Sequence, residues 1–257
     1  PTVSPEPKGM IALTFDDGPS DFTDRLLDCL EANNVKATFF LSGQEAEYFQ
    51  EPVKRMEELG CEIGNHSYDH PDLTTLSADD AASQLSRTDQ LIQDLTGHIA
   101  TVVRPPYGSY NDTVAEIAAR PLILWSVDTL DWETQNADST VQNVMDNASD
   151  GQIILMHDIY DATADAAVAL IPELTARGYQ LVTVSEMGEA KIGGLKPGEV
   201  YTDFWDSTVK KLTNSSSSSE KSSGSSDSEK SSGSSNNDKK SNSSNSDKGT
   251  SSSKSSD

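Results

Sequence analysis

The feature that most constrains the fold is a regular alternation of short apolar runs with segments of helical periodicity. The apolar runs are almost continuous, which is typical of strands that are buried on both faces of a parallel sheet. Seven such strands are predicted, at Met10–Phe15, Lys36–Leu41, Cys61–Gly64, Thr101–Arg104, Leu122–Val127, Gln152–Met156 and Gln180–Val184. The alternation therefore predicts an α/β domain whose parallel sheet is covered by helices.

Helices are predicted between these strands, and one of them has clear signals at both ends. It begins after Ser77, which forms an N-terminal capping pattern with Asp80, and it ends at Gly97. The other helices are predicted at Phe22–Asn33, Pro52–Leu59, Asp112–Ala119, Ser139–Ala148 and Ala162–Ala176. The last of these must accommodate Pro172, which cannot donate a backbone hydrogen bond.

The end of the chain has a different composition. From Thr213 to Asp257 it consists almost entirely of Ser, Asn, Gly, Lys, Asp and Glu, without an aromatic or aliphatic side chain. A segment of this composition buries too little apolar surface to offset the entropy lost on ordering it. We therefore expect one folded domain over residues 1–212 and a disordered tail or linker over residues 213–257.

Charge and cysteine content exclude several classes of protein. The formal net charge is -23, and it belongs to residues 1–212 because the tail contains equal numbers of acids and lysines. Such an acidic domain repels phosphate backbones, which argues against nucleic acid as a partner. No stretch is apolar over a membrane-spanning length, and no signal peptide is visible. Cys29 and Cys61 are too few for a disulfide framework, so two buried free thiols are expected.

Four short polar motifs follow predicted strands, and each contains a carboxylate, an imidazole or a guanidinium. They are T-F-D-D-G-P-S at Thr14–Ser20, N-H-S-Y-D-H-P at Asn65–Pro71, R-P-P-Y-G at Arg104–Gly108 and L-M-H-D at Leu155–Asp158. In a (β/α) barrel the carboxyl ends of all strands meet at one rim, so closure into a barrel is favoured over an open sheet. The motifs are then expected to form one site.

Two histidines and a carboxylate predict a metal centre within this site. His66 and His70 are four residues apart, and Pro71 favours a loop over a helix for the pair. Asp16 and Asp17 follow a buried strand, where adjacent carboxylates need compensation for their desolvation and mutual repulsion. Two His ligands and one Asp leave coordination positions open, as in a catalytic zinc site.

The remaining motifs supply groups for acid–base chemistry. His157 follows a strand and is a candidate acid or base facing the metal, which Asp128 or Asp131 of the D-x-x-D-W segment could orient. The two prolines after Arg104 remove two N–H donors and fix the backbone. The amide of Tyr107 is then a well-placed donor for a reacting carbonyl oxygen.

Taken in order with the D-x-x-D-W segment, these motifs resemble the five signature motifs of the polysaccharide deacetylases, the NodB-homology family of carbohydrate esterases. The resemblance extends from about Met10 to Met187. It implies a deformed (β/α) barrel, here with about seven parallel strands. It also implies metal-dependent removal of acetyl groups from N-acetylated or O-acetylated sugars.

The resemblance implies which residues bind the metal and activate water. Asp17, His66 and His70 would bind a divalent ion, usually Zn²⁺, with Co²⁺ or another divalent ion as a substitute. Asp16 would be the general base that activates water against the acetyl carbonyl. Arg104 would orient Asp16.

Further residues are implied on the leaving-group side and around the acetyl group. His157 would be the general acid that protonates the leaving amine, with Asp131 as its partner. Tyr107, through its backbone N–H, would stabilise the oxyanion. Trp132 and Leu155 would line a pocket for the acetyl methyl group.

The segment W-S-V-D-T-L-D-W at Trp125–Trp132 resembles the peptidoglycan-type members. We therefore expect a deacetylase of N-acetylglucosamine in peptidoglycan. The family and the tail indicate a secreted or surface-associated protein, and a monomer is expected. The alternatives are deacetylation of acetylxylan or of a chitin-like polymer, and a carbohydrate-binding surface protein without turnover. The intact Asp16 argues against the last alternative, because binding alone needs no general base.

Overall fold

In the computed structural model of the protein, residues 7–213 are described. The predicted tail therefore lies outside the described residues, apart from Thr213, which is helical. Within the described residues the strands are β1 Gly9–Asp16, β2 Thr38–Leu41, β3 Glu62–Asn65, β4 Leu122–Ile123, β5 Val127–Asp128, β6 Gln152–His157, β7 Tyr179–Leu181 and β8 Val200–Tyr201. All pairings between these strands are parallel, as predicted.

Helices alternate with the strands over most of the described chain. They are α1 Thr23–Asn33, α2 Gly43–Tyr48, α3 Gln50–Glu58, α4 Ala78–Thr96, α5 Asp112–Ala118, α6 Asp131–Thr134, α7 Ala137–Asn147, α8 Asp161–Ala176 and α9 Val184–Ile192. Residues 206–213 are also helical. Short 3₁₀ turns lie at Leu73–Thr75 and Pro106–Gly108. Among residues 7–213, none of the helices is long and apolar enough to cross a membrane.

The sheet is organised around β1. The strand order is β3-β2-β1-β6-β5, and β7 pairs with the first residues of β1. Single β-bridges continue the pairing beyond β3, from Asn65 to Val103 and from Val103 to Leu122 in β4. Because β4 and β5 belong to one short segment and β5 pairs with β6, the pairing returns to β6. The carboxyl ends of β1, β3, β5 and β6 therefore lie around one rim.

Burial follows the predicted pattern. Residues 11–15 of β1 and residues 153 and 154 of β6 are fully buried, as expected for strands covered on both faces. The long helix α4 is capped as predicted, since the Ser77 hydroxyl accepts from the Asp80 N–H and Gly97 has a φ of 89°. Helix α8 continues through Pro172 and packs mainly against α1 and α7.

Three of the predicted strands differ in the structure. The run 101–104 is reduced to a bridge at Val103, and the run 122–127 is interrupted after Ile123. The first run pairs only at Val103 because Pro105 and Pro106 follow it and have no N–H with which to continue the ladder. The second run is interrupted where the Arg104 side chain donates to the carbonyl oxygens of Ile123 and Leu124. The strand predicted to end at Val184 ends at Leu181, because Thr183 forms a capping box that starts α9. The short elements α2, α6, α9 and β8 were not predicted.

Both cysteines are free thiols, as the sequence predicts. Cys61 is buried immediately before β3. Cys29 is only partly buried, contrary to the prediction, because it lies at the edge of the contact between α1 and α8, where its Sγ is 3.8 Å from the Val168 carbonyl oxygen.

Candidate active site

Asp16 and Arg104 form a buried ion pair at the rim of the sheet. Asp16 ends β1, and an Arg104 Nη1 proton is donated to its Oδ1 at 2.6 Å. The Arg104 side chain is fully buried, and it also donates to the Thr14 hydroxyl. Its guanidinium lies 4.0 Å from the centre of the Phe40 ring. Burial raises the pKa of Asp16 above its usual range, and the charge of Arg104 opposes this shift.

The three residues Asp17, His66 and His70 meet on one side of Asp16. Asp17 Oδ1 lies 3.4 Å from His66 Nε2 and 3.3 Å from His70 Nε2. His66 directly follows β3, and its Nδ1 is 2.6 Å from the carbonyl oxygen of Arg104. This contact requires a proton on Nδ1 and leaves the Nε2 lone pair free. Residues 66–70 form a loop rather than a helix, with a φ of 60° at His70.

This cluster fits a divalent metal ion. One ligand atom from each of Asp17, His66 and His70 lies within 4.8 Å of the others. Asp17 Oδ1 is buried and accepts no hydrogen bond from a described residue, and an unsatisfied buried carboxylate oxygen is costly without a cation. Burial lowers the pKa of His66 to about 3, so its imidazole is neutral, as a metal ligand must be. Imidazole nitrogen and carboxylate oxygen are donors that suit Zn²⁺ and similar ions.

Asp131 holds His157 on the opposite side of the rim. His157 ends β6 and is in register with Asp16 on β1. Its Nδ1 lies 2.9 Å from Asp131 Oδ1, while Asp131 Oδ2 accepts from the His157 N–H and from the Thr163 hydroxyl, each at 2.7 Å. Asp128 instead accepts from the N–H of Leu130. The structure thus distinguishes two acids that the residues alone left as alternatives.

Burial acts to lower the pKa of His157, but the hydrogen bond and charge of Asp131 outweigh it and raise this pKa to about 9. The ring is therefore protonated at neutral pH and has a proton to donate from Nε2.

The motifs predict an acetate-releasing activity. As the pH is raised, we expect the Asp131→Asn variant to lose this activity at a lower pH than the parent protein does. Removing the negative charge lowers the pKa of His157, so the ring loses its proton earlier as the pH rises. The alkaline limb of the kcat/KM profile should move down by roughly one pH unit or more, because a close opposite charge typically shifts a pKa by about 1–3 units. Thr163→Ser, which retains the hydroxyl group, is the matched control. An alkaline limb at the same pH in Asp131→Asn would contradict a proton-donating role for His157.

Tyr107 lies beside the cluster of Asp17, His66 and His70, against the ring of His70. Its φ is 60°, and its ring packs edge-on against His70 at 4.6 Å between ring centres. Within residues 7–213, the Tyr107 N–H has no hydrogen-bond acceptor, whereas the N–H groups of Gly108 and Ser109 bond back to the two preceding prolines. A free amide beside a metal site is a ready donor for an oxyanion.

The groups described above open into one cavity of about 400 Å³. It is lined by Asp16, Asp17, His66, His70, Tyr107, Trp125, Asp128, Trp132, Leu155 and His157. Leu155 is buried at its base, and Trp132 is 48 % exposed at its edge. All ten predicted site residues therefore lie in this cavity or, like Arg104 and Asp131, directly behind it.

Two further residues, Trp125 and Asp128, line the cavity and are not among the site residues that the family resemblance implies. Trp125 packs over Gly108, where an added Cβ would lie 3.0 Å from the indole ring. Trp125 lies in a predicted strand of almost continuous apolar residues. Such a pattern does not reveal which side chains of the strand reach the site. Asp128 was identified only as an alternative to Asp131. His98, the one histidine outside the four motifs, pairs with Glu57 on the surface.

Comparison with known proteins agrees with this geometry. A family model described as polysaccharide deacetylase matches residues 4–121. The peptidoglycan-N-acetylglucosamine deacetylase of Bacillus cereus is 39 % identical over 191 residues, which cover 71 % of this chain and 70 % of that protein. The chain belongs to the polysaccharide deacetylase family.

The chain is also similar to PdaC of Bacillus subtilis, in sequence and in structure. The peptidoglycan-N-acetylmuramic acid deacetylase PdaC of Bacillus subtilis is 46 % identical over 191 residues, covering 74 % of this chain and 41 % of PdaC. The chain thus spans about two-fifths of the length of that relative. A solved structure of B. subtilis PdaC matches with a TM-score of 0.69 and 40 % identity, covering 83 % of this chain and 97 % of the solved chain. The family to which the chain belongs is metal-dependent.

Proposed function

We propose that this protein is a metal-dependent deacetylase that hydrolyses the N-acetyl group of N-acetylglucosamine in peptidoglycan. One observation carries the proposal. The cluster of Asp17, His66 and His70 shares one cavity with an Arg-paired carboxylate, Asp16, and an Asp-paired imidazole, His157. Amide hydrolysis needs an activated water, a polarised carbonyl and a proton for a poor leaving group, and this arrangement offers a group for each.

We assign the metal to Asp17, His66 and His70 and propose Zn²⁺ as the ion, with Co²⁺ as a functional substitute. When bound, such an ion polarises the acetyl carbonyl and lowers the pKa of a coordinated water. The protein supplies the geometry: the Arg104 carbonyl oxygen accepts from His66 Nδ1 and turns Nε2 toward Asp17. Such contacts to metal-binding histidines orient the ring and raise its basicity.

Asp16 is the proposed general base. Its Oδ1 is held by Arg104, so Oδ2 faces the metal cluster, 3.7 Å from His66 Nε2. A carboxylate fixed through one oxygen can accept the proton of the attacking water on the other. The raised pKa of this buried group makes it a stronger base than an exposed aspartate.

His157 is the proposed general acid on the leaving-group side. Asp131 holds its Nδ1, so Nε2 is the nitrogen that donates a proton to the departing sugar amine. The Tyr107 N–H is the proposed donor to the oxyanion that develops on the acetyl oxygen. Trp132 and Leu155 are the proposed walls of the acetyl-methyl pocket, because both line the cavity.

The proposed substrate indicates where the protein acts. A peptidoglycan deacetylase acts outside the cytoplasmic membrane, so we propose that the protein is extracellular or attached to the cell surface. We assign the activity to residues 1–212 and propose that the domain acts as a monomer.

We expect a chelator to abolish acetate release, and added Zn²⁺ or Co²⁺ to restore it. Acetate would be measured from peptidoglycan, chitooligosaccharides and acetylxylan, with and without chelator. His66→Ala should be inactive under all conditions, and the matched variant His98→Ala should behave like the parent protein, since His98 contacts Glu57 on the surface.

The three polymers separate the proposal from its alternatives. Metal-dependent release from peptidoglycan supports it, whereas release from acetylxylan alone would overturn the assignment of substrate. Activity that resists the chelator would overturn the metal site. Binding of a polymer without release of acetate from any of them would identify a carbohydrate-binding protein without turnover.

A further inference from the structure

Asp158 is a buried carboxyl group to which the proposed mechanism gives no role. It follows His157 at the end of β6 and is 1 % exposed. Its Oδ1 is buried and has no hydrogen-bond partner among the described residues. Burial raises the pKa of Asp158 to about 7, although a hydrogen bond from Thr23 opposes the shift. A buried acid retained at such a position calls for a structural reason.

The chain that follows Asp17 is fastened to Asp158. The Thr23 hydroxyl donates to Asp158 Oδ2 at 2.5 Å, and the Ser20 hydroxyl donates to the Asp158 carbonyl oxygen at 2.5 Å. The Ser20 N–H in turn donates to the Thr23 hydroxyl oxygen at 2.8 Å. The two bonds to Asp158 join residues that are about 135 positions apart in the sequence and attach the turn after β1 to the end of β6.

Gly18 lies directly against the Asp158 carboxyl group. A Cβ added to Gly18 would lie 2.1 Å from Asp158 Oδ1 and 2.5 Å from its Cγ. Gly18 is not among the glycines with a positive φ, so its backbone conformation does not require glycine. The close approach of the carboxyl group is what excludes a side chain at this position.

The position of Asp17 depends on this turn. Asp17 has a φ of 72°, a left-handed conformation that is unfavourable for a residue other than glycine and persists only with support from its surroundings. Its Oδ1 accepts no hydrogen bond from a described residue, so its own contacts do not hold it between the two histidines. We infer that the neighbouring backbone supports the conformation of Asp17. On its carboxyl side this backbone is Gly18, which lies against the Asp158 carboxyl group.

We propose that Asp158 is a positioning residue of the metal site, whose buried carboxyl group shapes the turn at Gly18 and thereby places the Asp17 carboxylate against His66 and His70. The inference rests on the proposed metal site and adds a residue that does not touch the metal. It assigns the effect to the volume of the Asp158 side chain and to its bond with Thr23.

The test measures the affinity of the full chain for Zn²⁺ by competition with a chromophoric chelator, independently of activity. We expect Asp158→Ala to bind Zn²⁺ about 10–100-fold more weakly, the range typical for loss of a group that orients a metal ligand. Asp158→Asn retains the volume and an oxygen acceptor for Thr23, so its affinity should stay close to that of the parent protein. Leu174→Ala is the control for general destabilisation, because Leu174 is fully buried in α8 and does not line the site.

A double variant distinguishes the steric fit between Gly18 and Asp158 from general destabilisation of the protein. Gly18→Ala should weaken Zn²⁺ binding by itself, because its Cβ meets the Asp158 carboxyl group. In Gly18→Ala combined with Asp158→Ala, the space left by the carboxyl group can accept the added methyl. The combined loss should therefore be smaller than the sum of the two single losses.

The outcomes test the metal site and the positioning role of Asp158 separately. A parent protein that does not bind Zn²⁺ would overturn the metal site itself. If the parent protein binds Zn²⁺ and Asp158→Ala binds it with equal affinity, only the role of Asp158 would be overturned. The same conclusion would follow if Asp158→Asn were as weak as Asp158→Ala, or if the double variant were strictly additive. If Asp158→Ala does not fold, unchanged affinity in Gly18→Ala would by itself overturn the proposal.

Discussion

The Asp16→Asn variant should release acetate about 10²–10⁴-fold more slowly than the parent protein, the range expected for loss of a general base. Asparagine has the shape of aspartate and retains an oxygen to accept from Arg104, but it cannot take a proton from water. Zn²⁺ affinity should be nearly unchanged, because Asp16 is not one of the three residues whose ligand atoms converge. The measurement is kcat/KM for acetate release beside the Zn²⁺ dissociation constant.

Asp128→Asn is the matched control for this variant. Asp128 is a carboxylate that lines the same cavity, but it bonds to the N–H of Leu130 rather than to a proposed catalytic group. Its replacement should change kcat/KM far less. Parental activity in Asp16→Asn, or equal losses in the two variants, would remove Asp16 from the role of base.

Arg104→Met should lower the free energy of unfolding by about 3–5 kcal/mol, the usual cost of removing one partner from a buried ion pair. The Arg104 side chain is fully buried and binds Asp16, the Thr14 hydroxyl and two backbone carbonyl oxygens. Methionine fills much of the volume but leaves a buried carboxylate and two carbonyl groups without a donor. Urea denaturation would measure the loss.

Arg25→Met provides the comparison, because Arg25 pairs with Asp161 and Asp165 at a partly exposed site. An exposed pair of this kind contributes at most about 1 kcal/mol. Combining Asp16→Asn with Arg104→Met should recover part of the loss, since the uncompensated charge is then absent. Equal stabilities of Arg104→Met and Arg25→Met would show that the buried pair does not hold the rim together.

Local patterns in the sequence were sufficient for the class of fold. The apolar run of β1 predicted a strand buried on both faces, and Ser77 and Gly97 predicted the ends of α4. Both features depend on residues that are close in sequence, namely the period of the side chains and the capping of backbone groups at a helix end. The elements that were missed, such as α2 and α6, are short and have few residues in which a periodic pattern could show.

The outline of the site also follows from the sequence, because parallel strands end at a common rim. Strand direction alone therefore predicts that the residues at the ends of β1, β3 and β6 lie near one another. The residues alone did not distinguish Asp128 from Asp131 as the partner of His157. That choice depends on the path of the chain after β5, where Leu130 has a φ of 57° and Asp131 begins a short helix.

The sequence by itself determined the alternating α/β architecture and brought the reactive motifs to the end of the sheet, because strand burial, helix caps and strand direction are encoded locally. Only the tertiary structure decided how these motifs interact. Arg104 binds two carbonyl oxygens about 20 residues away, at the point where a predicted strand is interrupted, and Asp158 supports a turn about 135 residues earlier in the chain. Such contacts are fixed by the packing of distant segments in a crowded interior, where space and hydrogen-bond partners must be matched together.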